Sequence, residues 1–126
     1  MAKSILLAED DRFLRRACEA KLKQRGFDVR VAVDGEDTLA LAREHPPDLL
    51  LLDLLMPKRN GLSVLEALKA DLATRDIPVV ILSNSSKDLE VQTASNLGAL
   101  DYWIKSNFSL QELCDRIEQL MAAQAP

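Results

Sequence analysis

Apolar positions along this chain switch repeatedly between two spacings. Leu49-Leu50-Leu51-Leu52 has no polar alternation, which is how a strand buried on both faces of a parallel sheet reads. Pro46-Pro47 and Pro57 bracket this run, and it is too short for an ordinary helix. Ser4-Ile5-Leu6-Leu7-Ala8 has the same character, as does Ile77 to Ser83 with Val79, Val80, Ile81 and Leu82. Phe27 to Val33 alternates, with Val29, Val31 and Val33 on one face, and Leu100 to Lys105 supplies a fifth strand.

Between these runs the spacing becomes helical. From Asp11 to Arg25, Leu14, Ala17, Cys18 and Leu22 share a face opposite Arg12, Arg16, Glu19 and Lys23. Asp11 is placed to cap this helix and Gly26 to end it, while Lys21 snorkels along the apolar stripe. Asp34-Gly35 makes a turn, with Asp34 as N-cap, and Asp37 to Glu44 follows as a helix burying Leu39 and Ala42. The loop Lys58-Arg59-Asn60-Gly61 leads into a helix with Leu62, Leu65, Leu68 and Leu72 at core spacing. Ser86 to Asn96 is a more polar helix anchored by Leu89 and Leu97 and ended by Gly98. Ser109-Leu110-Gln111-Glu112 matches a capping box and opens a helix that buries Leu113, Ile117 and Leu120. Strand and helix therefore alternate five times with short connections. The pattern predicts an α/β domain, a doubly wound parallel sheet whose right-handed crossovers put helices on both faces. Residues 1–121 form this one domain, and 122–126 read as a frayed tail or linker stub.

Composition narrows the class without changing the fold. With 126 residues, 48% of them apolar and 29% charged, the chain reads as a soluble globular protein. No apolar stretch approaches the roughly 20 residues that cross a bilayer, and Met1-Ala2-Lys3 leads straight into a strand pattern without a signal peptide's apolar segment. The expectation is a cytoplasmic protein that binds no membrane. A net charge of −4 gives no support for a nucleic-acid surface. Cys18 and Cys114 lie inside helical patterns without partners at metal-ligand spacing and read as small buried hydrophobes. His45 precedes two prolines in a loop and is expected to be solvated.

The chemistry lies at the carboxyl ends of the strands, where open parallel sheets bind their ligands. Glu9 and Asp10 follow the first strand, Asp53 the third, Ser83 the fourth and Lys105 the fifth. Three carboxylates meeting at one edge repel one another unless a cation neutralises them. An oxygen-only donor set suits Mg²⁺, which completes its octahedron with water and phosphate oxygens. A lysine and a hydroxyl facing that cation complete a site suited to a phosphoryl group, whose transfer depends on positioning and charge neutralisation. Taken singly, Asp53 also reads as a turn residue and Ser83 as a loop hydroxyl.

Ala8-Glu9-Asp10-Asp11, Asp53-Leu54-Leu55-Met56-Pro57 followed by Gly61, then Ser83, Tyr102 and Lys105 together resemble the receiver domains of two-component response regulators. The resemblance runs from Ile5 to about Leu120 and suggests the stand-alone, single-domain type. It implies a flavodoxin-like five-stranded sheet in the order 2-1-3-4-5, a doubly wound order that receivers share with flavodoxin itself. It implies that Asp53 accepts a phosphoryl group from a sensor histidine kinase or histidine phosphotransfer protein. Asp10, Asp53 and the Leu55 main-chain carbonyl would bind Mg²⁺, with Glu9 acting through a water. Lys105 would pair with the phosphoryl oxygens, Ser83 would move to hydrogen-bond them, and Tyr102 would follow. The surface of the fourth helix, fifth strand and fifth helix would then change for an unknown downstream protein. Such a domain promotes only its own phosphorylation and dephosphorylation and is expected to be a monomer or weak dimer.

Several positions depart from the family pattern. Ser106 replaces the usual proline after the lysine, so the Lys105–Ser106 peptide is expected to be trans. Asn84 is bulkier than the usual small residue after the switch hydroxyl. Leu55 is expected to project near the acyl phosphate, where it cannot orient a water, so phosphate loss should be slow. Leu55 also stands where a haloacid-dehalogenase-type enzyme needs its second aspartate, which argues against that class. A phosphorylation-independent scaffold is the remaining alternative. Trp103 points away from Tyr102 and reads as packing; Tyr102 alone reads equally as a half-buried strand aromatic. The basic face Arg12, Arg15, Arg16 and Lys23 is either a solvated surface or a dock for an acidic partner.

Overall fold

A computed structural model describes residues 2–85 and 87–123. Ser86, expected to open the fourth helix, and 124–126 of the expected tail lie outside the described residues. The elements run β1 (Ser4–Ala8), α1 (Arg12–Gln24), β2 (Asp28–Ala32), α2 (Gly35–Glu44), β3 (Leu49–Leu52), α3 (Gly61–Ala70), β4 (Val79–Ser83), α4 (Asp88–Asn96), β5 (Asp101–Ile104) and α5 (Leu110–Ala123). All strand pairs are parallel, in the order β2-β1-β3-β4-β5. This is the doubly wound, flavodoxin-like arrangement that the spacing and the resemblance imply.

The four leucines of β3 are all buried because each face of the sheet has its own helix layer. Alternation sends Ile5, Leu7, Leu49, Leu51, Val80 and Leu82 to the side of Cys18, Leu22, Cys114 and Ile117, on α1 and α5. Leu6, Leu50, Leu52, Val79 and Ile81 pack instead against Ala42, Val64, Leu65, Leu68 and Ala94, on α2, α3 and α4. Burial pushes the Cys18 thiol up to about 12 and raises that of Cys114 as well, so both behave as the inert core residues expected.

Register places the polar residues. Ala8 pairs with Leu52, so β1 and β3 end level, and the Asp53 N–H donates to the Ala8 carbonyl at 3.0 Å. Glu9 and Asp53 therefore leave the sheet side by side. On the other flank Ser83 pairs with Ile104, and Lys105 follows as the first residue of a 3-10 turn, Lys105–Asn107, rather than as the last strand residue.

The capping residues act as expected. Asp11 accepts from the Phe13 and Leu14 N–H groups, Asp34 from Asp37, and Ser109 and Glu112 bond reciprocally. Gly26 and Gly98 take the left-handed backbone (φ +92° and +98°) that ends α1 and α4. Four helical expectations need correcting. Leu72 is 77% exposed because α3 ends at Ala70 and Asp71 turns the chain, accepting from Ala73 and pairing with Arg43. Leu89 is 76% exposed: α4 turns Ala94 and Leu97 inward, with Glu90 on the same stripe. Ala122 and Ala123, expected to fray, continue α5. Leu39 and Leu120 are half-buried rather than buried.

Candidate functional site

Glu9, Asp10, Asp53, Leu55, Asn84 and Lys105 line an open cleft of about 420 Å³ at the carboxyl edge of the sheet, together with Asp11. Carboxylate oxygens of Glu9, Asp10 and Asp53 lie within 4.8 Å of one another. Lys105 reaches into this group, with Nζ 3.0 Å from Asp53 Oδ2 and 2.5 Å from Glu9 Oε1. Only the first contact is aligned as a hydrogen bond, so Glu9 Oε1, although ion-paired, has no aligned donor among the described residues. The second Asp53 oxygen, Oδ1, accepts from the Leu55 N–H at 3.3 Å.

Burial sets the electrostatics. Glu9 and Asp53 are buried while Asp10 is exposed, so the acid triad straddles the boundary with solvent. Burial pushes the Glu9 carboxyl up to about 7, reinforced by Asp53 and opposed by Lys105 and the Asp11 N–H. Burial works against the Lys105 ammonium too, but the Glu9 and Asp53 carboxylates outweigh it and hold its pKa above the usual lysine value. One lysine thus serves two buried acids, with the exposed Asp10 beside them. A hard divalent cation fits that donor set.

Two structural devices hold the acids in place. Arg15, expected on the solvated face of α1, instead turns back and donates to the Glu9 and Asp10 carbonyls at 3.1 and 3.2 Å. The remaining basic face is smaller than the sequence suggests, since Lys23 pairs with Glu19. Beside it Phe13 stands 89% exposed, a feature missed in the sequence because α1 has its apolar stripe elsewhere. Gly61 opens α3 against the loop that carries Asp53: its N–H donates to the Leu54 carbonyl, and a Cβ there would collide with the Asp53 carbonyl and sit 2.7 Å from Leu54 Cα. The neighbouring Asn60 caps α3 through the Ser63 N–H. The Asn-Gly pair was the available signal, and its purpose becomes plain only from the close approach.

Ser83 is buried just outside the cleft lining, and its hydroxyl accepts from the Ser85 N–H at 3.1 Å. Asn84 lines the cleft beside it. The Tyr102 hydroxyl donates to the Ser85 carbonyl at 2.8 Å, so Ser85 is held at both its N–H and its C=O. Trp103 is buried on the other face, against Phe108 and under the Arg116 guanidinium, which confirms packing as its role. Leu55 is 76% exposed at the cleft mouth, as expected. His45 lies exposed, with Glu44 Oε1 3.5 Å from its Nε2. There is no cis peptide among the described residues, so Lys105–Ser106 is trans as expected.

A flavodoxin-like sheet carrying an acid triad and a lysine at its carboxyl edge defines a class of phosphate-handling α/β domain. The particular family follows from comparison: the model of the response regulator receiver domain matches residues 5–118, and this chain belongs to that family. The transcriptional regulatory protein CpxR of Escherichia coli (strain K12) is 41% identical over 117 residues, covering 93% of this chain and 48% of that protein. The probable transcriptional regulator ycf27 of Porphyridium aerugineum is 37% identical over 117 residues, covering 93% and 47%. The chain therefore spans about half the length of these curated relatives. Among solved structures, the phosphorylated cyanobacterial phytochrome response regulator RcpA superposes with a TM-score of 0.87 at 30% identity, covering 100% of this chain and 98% of that one. The receiver domain of Francisella response regulator 1452 gives 0.85 at 29%, covering 98% and 99%. Phosphorylation-based two-component signalling is the general function of the family. No helix among the described residues is long and apolar enough to cross a membrane.

Proposed function

We propose that this domain is a phosphorylation-switched signalling module with Asp53 as its phosphoryl acceptor. The observation that carries the reading is the convergence of Glu9, Asp10 and Asp53 within 4.8 Å, with Lys105 against Asp53. An Asp53 carboxylate oxygen attacks the phosphorus of a phosphohistidine on a kinase or phosphotransfer protein. The P–N bond breaks, the imidazole leaves with its electron pair and takes up a proton, and an acyl phosphate forms. Asp10, Asp53 and the Leu55 carbonyl would hold Mg²⁺, with Glu9 through a water; the ion supplies charge neutralisation for the incoming phosphoryl oxygens. Lys105 then exchanges part of its contact with Asp53 for a phosphoryl oxygen.

Signalling follows from the contacts of Ser85. The Ser83 hydroxyl, outside the cleft lining, must shift to donate to the phosphoryl group; it is the acceptor of the Ser85 N–H, and the Ser85 carbonyl is the acceptor of Tyr102. A shift at Ser83 therefore reaches Tyr102 on β5 and the α4-β5-α5 surface, where a downstream protein would read it. The domain switches a partner and turns over no separate substrate.

Incubation with acetyl phosphate and Mg²⁺, followed by intact-mass measurement, tests this reading. The expected result is the mass gain of one phosphoryl group, abolished in Asp53→Asn and by chelation of the metal. An unchanged mass in the parent protein would leave the phosphorylation-independent scaffold as the better description.

A further inference from the structure

Of the three acids, Asp10 has the least support from side chains. Glu9 and Asp53 are buried and share Lys105, whereas the Asp10 carboxylate is exposed and accepts no hydrogen bond among the described residues. Its aim is therefore set by the main chain of the loop between β1 and α1. That loop is tied at several points: the Glu9 N–H donates to the Ala32 carbonyl at 3.1 Å and the Asp11 N–H to Glu9 Oε2 at 3.1 Å. Its carbonyls depend on α1. The Arg15 N–H donates to the Asp11 carbonyl at 2.9 Å as part of the helical ladder, so the Glu9 and Asp10 carbonyls lie one step outside it. A single nitrogen, Arg15 Nη1, donates to both, at 3.1 and 3.2 Å. Arg15 forms no ion pair with a carboxylate among the described residues, so its bonds go to the loop backbone and not to the acids themselves.

We propose that Arg15 is a positioning residue for the divalent cation: by bridging both loop carbonyls it holds the backbone in the conformation that brings Asp10 within reach of Glu9 and Asp53. This rests on the reading of those acids as the cation's donors. The guanidinium has two opposed effects there. Its charge repels a dication, while its bridge preorganises the donors that would hold one. Magnitudes decide between them. A single charge screened by solvent at a protein surface changes an affinity only a few-fold. Groups that orient metal ligands change it by about 10–100-fold when removed. Asp10 has no other side-chain contact to keep its aim once the bridge is gone, so the geometric effect prevails. Removing Arg15 therefore weakens cation binding even though it takes away a repelling charge.

The test titrates Mg²⁺ into the parent, Arg15→Met and Arg15→Lys while the amide NMR signals of Asp53 and Leu55 are followed. The expected result is binding about tenfold weaker in Arg15→Met. Arg15→Lys keeps the charge on a side chain one bond shorter and should fall between the two. A second readout needs no metal. With a chelator present, the Asp11 amide should exchange with deuterium faster in Arg15→Met than in the parent, while the Leu51 amide in β3 exchanges at an unchanged rate. In the acetyl phosphate reaction the Mg²⁺ concentration for half-maximal labelling should rise about tenfold, with the rate recovered at saturating Mg²⁺. Unchanged Mg²⁺ binding in Arg15→Met would overturn the positioning role, and tighter binding would replace it with plain charge repulsion. Faster exchange at Leu51 as well would trace the loss to the whole fold and equally overturn it. In each of these cases a parent that takes phosphate keeps Asp53 as acceptor. A parent that binds Mg²⁺ but takes no phosphate would remove the acceptor reading and leave the role of Arg15 at the cation site supported.

Discussion

Leu55 and Glu9 show how much a single position can set. The Leu55 side chain stands at the mouth of the acid cleft and offers no donor or acceptor to a water approaching the acyl phosphate. Leu55→Asn should therefore shorten the lifetime of the phosphorylated form, by up to about 100-fold, the low end of what a positioned acid–base group supplies. Loss of the phosphoryl mass with time measures this, and an unchanged or longer lifetime would count against it. Glu9 controls a different property. Its folded pKa, near 7, lies above its ordinary value of 4.5 because burial disfavours the carboxylate. The stabilisation from holding Glu9 protonated is complete below pH 4.5 and is lost as pH rises through about 7. In the presence of a chelator, urea midpoints should fall between pH 5 and pH 8 by more in the parent than in Glu9→Gln. Parallel pH profiles for the two proteins would contradict this.

Helices α3 and α4 show how local sequence and packing divide the work. α3 begins where Asn60 caps it and where Gly61 lets the helix touch the Asp53 backbone. Gly61→Ala should cost about 1–3 kcal/mol in overpacking and also slow phosphorylation, because the backbone that must yield is that of Asp53 and Leu54. Thermal melts and acetyl phosphate labelling of one preparation separate the two effects. α4 carries an expectation that the fold reverses: Leu89, read as an anchor, faces solvent, while Ala94 and Leu97 face the core. Leu89→Gln should then change stability by no more than about 0.5 kcal/mol, whereas Leu65→Ala in α3 should cost about 2–5 kcal/mol. Chemical denaturation of the two variants measures the contrast. A comparable loss at Leu89 would mean that α4 packs with the other phase.

The two helix layers give the domain two differently wired halves. Ser83, Ser85 and Tyr102 connect the cleft to the α4 side, whereas Trp103 sits in the layer of α1 and α5, held by Phe108, Arg116 and Asp101. Beryllofluoride with Mg²⁺ should shift the amide NMR signals of Ser85, Val91 and Tyr102 strongly while changing Trp103 emission little. A large emission change would show that the α1/α5 layer repacks as well. Most of this architecture was legible in the chain, for identifiable reasons. The unbroken apolar runs of β1, β3 and β4 can be satisfied only between two layers, and Asp11, Asp34 and Ser109 cap helices through bonds to their own next turn. Such short-range chemistry also put Glu9, Asp10, Asp53, Ser83 and Lys105 at strand ends. What local pattern could not supply were the directions in which one element meets its neighbours: Arg15 turning back onto the Glu9 and Asp10 carbonyls, Gly61 against Asp53, and the rotation of α4 that exposes Leu89 and leaves Glu90 beside Leu54. Helical periodicity gives the spacing of a stripe but not its direction, and a polar group's partner is known only once register and crossing angles bring the segments together.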